Sequence, residues 1–141
     1  MSALTNLDIL RYVNRVNLPY FRGVFMRDTL PKGGPREREC GIMNLNTSHE
    51  PGSHWVCYFK DGKKRIYFDS FGQITPIELQ KYLKTKTEFE RCKNIIQRNT
   101  DIVQAINTSE CGHLCLIVLS ALTKGVPFQS IINTLRHNGH P

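Results

Sequence analysis

No stretch of this sequence is apolar for long enough to cross a bilayer. The longest such run, residues 114–122, is broken by Ser120 and falls far short of the ~20 residues a spanning helix needs. The first residues are polar and charged through Asn6 and Asp8, without the apolar centre of a secretory leader, so export is not expected. A disulfide framework is lacking: Cys40, Cys57, Cys92, Cys111 and Cys115 are an odd number without its spacing, which fits a reducing compartment. Cys111 and Cys115 are four apart and no second Cys or His pair recurs at finger spacing, so no metal site is expected. Internal repeats and low-complexity tracts are missing too.

What is present fits an ordinary soluble domain. With 40% hydrophobic and 22% charged residues, the chain of 141 residues can bury a core, and residues 1–141 are expected to form one domain. Nineteen Lys and Arg against twelve Asp and Glu give a formal charge of +7. The basic residues are spread over 11–27, 60–65 and 81–98, which leaves two readings open: simple solubility, or non-specific attraction of DNA.

Thr5 or Asn6 can cap a helix carrying Ile9, Leu10, Val13 and Val16 at helical spacing, closed by Pro19. Residues 31–38, with Gly33, Gly34 and Pro35, read as a surface loop, and 40–46 as a strand. Residues 55–60 and 65–69 are β-rich runs flanking Asp61-Gly62, which predicts a β-hairpin. Thr75, Pro76 and Glu78 read as the capped start of a helix reaching about Lys84. Two short β-like pieces are expected in 94–104. Leu114, Leu116, Ile117, Val118, Leu119 and Leu122 predict a helix apolar on every side and therefore in the core, ended by Gly125. Phe128, Ile131, Ile132 and Leu135 mark a last amphipathic helix. This order predicts an α+β fold with an antiparallel sheet packed by helices.

The chemistry begins at Cys111, which follows the polar Asn107-Thr108-Ser109-Glu110, precedes Gly112 and opens the core helix. A helix N-terminus and a nearby imidazolium both favour the thiolate, the form that attacks carbonyls. The nucleophile needs a base, and the base needs a partner to hold its tautomer. His54 and Asp69 stand at the start of the first hairpin strand and the end of the second, so a tight turn at Asp61-Gly62 brings them to the same end of the sheet. The structural alternative is a solvated pair at two strand ends.

Gly52-Ser53-His54-Trp55, then Tyr67-Phe68-Asp69-Ser70-Phe71-Gly72, then Gln104 seven residues before Cys111-Gly112, resemble the adenovirus endopeptidase (adenain) family and its relatives, the ubiquitin-like-protein proteases. The order His, acid, Gln, Cys is that of the family. The likeness extends upstream to Pro19-Tyr20-Phe21-Arg22-Gly23 and to Cys40-Gly41-Ile42-Met43-Asn44, covering about residues 20–122. The resemblance implies a papain-like cysteine protease with permuted chain order and a buried helix starting at the nucleophile. It makes Cys111 the nucleophile, His54 the general base, Asp69 its orienting acid and Gln104 the oxyanion donor, a role a glutamine amide and the Cys111 N–H are chemically suited to. Trp55 would wall a narrow slot for small residues, its other reading being a core aromatic of the hairpin. An aspartate at 69 agrees with the ubiquitin-like-protein branch, whereas the seven-residue interval from Gln104 is closer to the adenovirus branch. Family members of adenovirus are activated by DNA and by a peptide attached through a cysteine; Cys92 lies at a similar place, and the C-terminal part that helps bind such cofactors is expected to be reduced here.

His113 and Cys115 are expected to face packing partners, and His49, His137 and His140 solvent. The resemblance thus implies a viral or virus-related thiol protease, monomeric, needing no cofactor for its chemistry. It would cut virion precursors after small residues at Gly-Gly-type sites, in the virion and the host nucleus or cytoplasm. The alternatives are a protease removing ubiquitin or a related modifier, and a basic nucleic-acid-binding virion protein with an unused protease site.

Overall fold

A computed structural model of the chain describes residues 3–49, 54–92, 94–104 and 109–139, the last three without their side chains beyond 136. Gly52-Ser53, Asn107-Thr108, the side chain of His137 and His140 therefore lie outside the described residues. The elements run α1 (Asn6–Val16), β1 (Phe21–Met26), β2 (Arg38–Asn44), β3 (Trp55–Asp61), β4 (Lys64–Phe68), α2 (Ile77–Leu83), α3 (Lys86–Arg91), β5 (Gln97–Arg98), α4 (Cys111–Thr123) and α5 (Phe128–Gly139). The strands form one sheet in the order β1-β2-β3-β4-β5. Its three central strands are antiparallel, as expected; both edges, β1 on β2 and β5 on β4, run parallel, so the sheet is mixed.

Alternation along β3 and β4 builds two cores. Trp55, Cys57, Phe59, Ile66 and Phe68 face a core closed by Ile9 and Val13 of α1, by α4, and by Phe128, Ile131 and Ile132 of α5. Val56, Tyr58 and Tyr67 face the other way, against Leu79, Tyr82 and Leu83 of α2. Each fully buried large side chain contributes roughly 1.5–3 kcal/mol by leaving water. The helix from Cys111 is central as predicted: eight of its residues are buried and it lies on β3, with only Ile117 turned well outward.

Local capping departs from the expectation in two places. Thr75 does not cap α2; Pro76 takes the N-cap position without a side-chain bond, and Glu78 pairs instead with Arg27 at 2.8 Å. The true capping box lies one helix later, where Thr85 and Glu88 exchange bonds at the start of α3. Thr5 and Asp8 form the same box at α1. Of the two β-like pieces expected in 94–104, only β5 forms. On the α2 side of the sheet, the fully buried Glu39 accepts from Tyr58 Oη (2.5 Å), Tyr82 Oη (2.6 Å), Arg22 Nη1 (2.8 Å) and the Arg36 N–H (2.8 Å). Burial works to raise its carboxyl, and these four donors hold it below the ordinary value all the same.

Candidate active site

The hairpin fixes the first two residues. Cys57 pairs with Phe68 and Asp61 with Lys64, so the residue before β3 and the residue after β4 meet at the open end of the ladder. There His54 Nε2 lies 2.8 Å from Asp69 Oδ1. The imidazole is stacked on Phe71 at 4.9 Å between ring centres, and the His54 carbonyl accepts from the Leu45 N–H, so ring and backbone are both held.

Asp69 is itself anchored by groups the sequence did not advertise. Its Oδ1 also accepts from the Phe71 N–H at 2.9 Å, its N–H donates to Asn99 Oδ1, and its carbonyl accepts from Asn99 Nδ2 at 2.6 Å. The chain turns sharply after it, with Gly72 donating back to the Asp69 carbonyl at φ +67°. A Cβ at Gly72 would stand 2.4 Å from the Thr100 carbonyl oxygen, so only glycine lets this turn press against the segment carrying Asn99. Asn99 gave no signal in the sequence, since its partners come from a loop thirty residues away.

Cys111 is the first residue of α4 and is buried, at 6% exposure. Its Sγ accepts from the Trp55 N–H at 3.4 Å. Glu110 stands at the N-cap without making a side-chain bond, in contrast to Thr5 and Thr85, so the first N–H groups of α4 are not consumed by a cap. Burial raises the thiol, but the His54 imidazole together with the Trp55 and Gly112 N–H groups outweighs it, and Cys111 ends below the ordinary thiol value. Burial likewise opposes the charge on His54, yet its bonds to Asp69 and Cys111 lift it to about 9. Two buried thiols go the opposite way: burial pushes Cys40 up to about 12 and raises Cys115 strongly. All five cysteines are free.

Gln104 is buried at 2% exposure, and its Oε1 accepts from Ser70 Oγ at 2.5 Å. The Ser70 carbonyl in turn accepts from the Val103 N–H, tying this segment to the turn after Asp69. Trp55 fulfils its core reading, being buried among α4 residues, with its Nε1 donating to the Leu4 carbonyl at 2.9 Å. It also lines a cavity of about 460 Å³ with residues 3–6 and β1. Leu4 is a contact that sequence reasoning missed: a Cβ at Gly112 would meet Leu4 and Trp55 at 3.2 Å, so the three converge beside Cys111.

Cys92 is not part of this cluster. It is exposed at the C-cap of α3, a helix packed on α2. His49 is exposed as expected, while His113 is half-buried with a buried Nδ1 that lacks a hydrogen bond. Among the described residues no group of three or more His, Cys, Asp or Glu could hold a metal, and no helix is long and apolar enough to cross a membrane.

Residues 40–138 match the Ulp1 protease family, C-terminal catalytic domain. The chain belongs to the Ulp1 protease family. Two adenovirus proteases are relatives within reach of sequence. That of Bovine adenovirus 2 is 28% identical over 113 residues, which is 73% of this chain and 55% of the relative. That of Bovine adenovirus B serotype 3 is 31% identical over 119 residues, 75% of this chain and 57% of the relative. The chain thus matches just over half the length of each. In fold, this Ulp1-family chain resembles the crystal structure of the ASFV pS273R protease, with TM-score 0.61 and 16% identity over 99% of this chain and 67% of that one.

Proposed function

We propose that the chain is a viral cysteine endopeptidase working through a thioester acyl-enzyme. The observation that carries the reading is the chain of contacts Asp69, His54, Cys111: a 2.8 Å bond holds the imidazole by Nε2 and leaves Nδ1 for a thiol whose ionisation the site favours. The Cys111 thiolate attacks the scissile carbonyl carbon, and the electron pair moves onto oxygen. The oxyanion is received by the Gln104 amide, whose oxygen end is held by Ser70, and by the Cys111 N–H at the uncapped start of α4. Protonated His54 gives its proton to the leaving amine, the C–N bond breaks, and the thioester remains. Water then attacks with His54 as base, releasing the acid and restoring the thiol. Every group these steps need belongs to the chain itself, so the chemistry requires no cofactor.

The substrates we propose are virion precursor proteins cut after small residues at Gly-Gly-type sites. The kinship with adenovirus proteases supports the first part, and the convergence of Leu4, Trp55 and Gly112 beside the thiol, which narrows the approach, supports the second. The family match favours a second reading, removal of ubiquitin-like modifiers. The intact geometry speaks against an unused site. A monomeric single domain acting in the virion and the host nucleus or cytoplasm completes the proposal. Non-specific DNA would be attracted by the +7 charge, and an activating peptide would attach at the exposed Cys92.

The test is cleavage of a Gly-Gly reporter peptide, a precursor peptide library and a modifier conjugate by wild type and by Cys111→Ala. Wild type should cleave and the variant should show only background. Peptide cleavage without conjugate cleavage supports the precursor reading, and the reverse supports the modifier reading. No turnover of any substrate, with Cys111 unreactive to a thiol-directed peptide probe, would refute the enzyme.

A further inference from the structure

At the opposite end of the hairpin from His54, and on the α2 face of the sheet, lies a cavity of about 600 Å³ between the β3–β4 turn and the junction of α2 and α3. Lys60 at its rim is six positions along from His54, or about 20 Å on an extended strand, so the cavity is distinct from the protease site. Five of its lining residues are cations: Lys60, Lys63, Arg65, Lys81 and Lys84. Two carboxylates oppose them, and one is already taken. Glu88 is gripped by Arg65 through both oxygens, at 2.7 and 3.0 Å, which leaves its carboxyl at about 2 and its charge spent locally. Glu37, the other, offers its backbone carbonyl to Lys60 Nζ at 3.2 Å.

Lys84 is the unusual member. It is only 8% exposed, yet no carboxylate among the described residues pairs with it. Its Nζ and that of Lys81 rest 6.0 and 5.6 Å from the centre of the Phe89 ring, so one aromatic ring steadies both ammonium groups. Burying a lysine without an acid is costly unless an anion can reach it.

We propose that this cavity binds a compact polyphosphate anion. Five cations gathered around one cavity favour a small multivalent ligand that meets several lysines at once, over an extended nucleic-acid strand, which needs a continuous track. Sodium tripolyphosphate is the probe, titrated calorimetrically into the whole chain at about 150 mM salt, where longer-range charge is screened. Wild type should bind saturably at one site. Lys84→Met, which keeps the buried stem and removes the charge, combined with Lys81→Gln, should weaken binding at least about tenfold. The exposed Lys81→Gln alone, which leaves the core untouched, should weaken it roughly threefold. Arg15→Gln with Lys124→Gln removes the same charge from exposed positions outside the cavity lining and should change affinity less than about twofold. The proposal is overturned if wild type shows no saturable site, if Lys81→Gln and the control pair weaken binding equally, or if a twelve-nucleotide single strand binds more tightly with the same dependence on Lys81.

Discussion

Two buried carboxylates, Glu39 in β2 and Asp69 just after β4, have been put to opposite uses. Glu39 is surrounded by four donors from β1, β3, α2 and the loop before β2, and it fastens those pieces together. Asp69 shares a single oxygen, Oδ1, between His54 and the Phe71 N–H, while Oδ2 is buried without a hydrogen bond. One carboxylate is saturated and serves stability. The other is kept partly unsatisfied and aimed at an imidazole, a cost the fold accepts where function needs it.

Substitutions should separate these roles. The largest effect is expected from Asp69→Asn, which keeps the shape but loses the charge that orients and stabilises the imidazolium; kcat should fall on the order of 10³–10⁴. Its melting temperature should change little, and a large loss of stability with normal kcat per folded molecule would invert the comparison. Gln104→Ala comes next, with kcat and kcat/KM falling together by roughly 10²–10³ and KM nearly constant, since the lost donor acts on charge that develops in the transition state. Because Ser70 loses its partner, circular dichroism must accompany those kinetics. Glu39→Gln should do the reverse of Asp69→Asn: roughly 3 kcal/mol of stability lost, read by urea denaturation, with kcat per folded molecule unchanged.

The smallest effect concerns pH. Raised to about 9, His54 favours the folded state fully below its ordinary value of 6.5, and that contribution is lost as pH rises toward 9. Cys111, lowered, contributes above the ordinary thiol value and loses that contribution as pH falls through its depressed one. Activity should therefore hold up to about pH 9 and then decline about tenfold per unit. In Asp69→Asn this upper limb should move to lower pH, and an unmoved limb would show that Asp69 does not act on His54.

Much of this was legible in the sequence because it is local. The hairpin follows from two alternating runs and Asp61-Gly62, and the core helix from a run too apolar to face water. The meeting of His54 and Asp69 follows from hairpin symmetry alone, and placing Cys111 at a helix start needed only the change of pattern around it. What stayed hidden is what depends on distant partners. Strand β1 was missed because all six of its residues are half-buried at an edge, so no alternation shows, and its partner is a parallel strand beyond a long loop. Thr75 looked like a cap, yet Pro76 begins the helix and Glu78 is drawn to Arg27, fifty-one residues away. Asn99 and Leu4 matter only through contacts that no pattern of neighbours announces.

The hairpin that joins His54 to Asp69 also acts as a ruler. Side chains alternate faces, so one residue added to or removed from β3 or β4 would send Trp55, Cys57 and Phe59 to the wrong core and carry one triad member out of reach of the other. The turn at Gly62 lies at the far end, where the chain can lengthen without disturbing that alignment. Descendants of this sequence should thus vary in length at positions 62–63 while the count from His54 to Lys60, and from Lys64 to Asp69, stays fixed: arithmetic imposed by catalysis on the length of two strands.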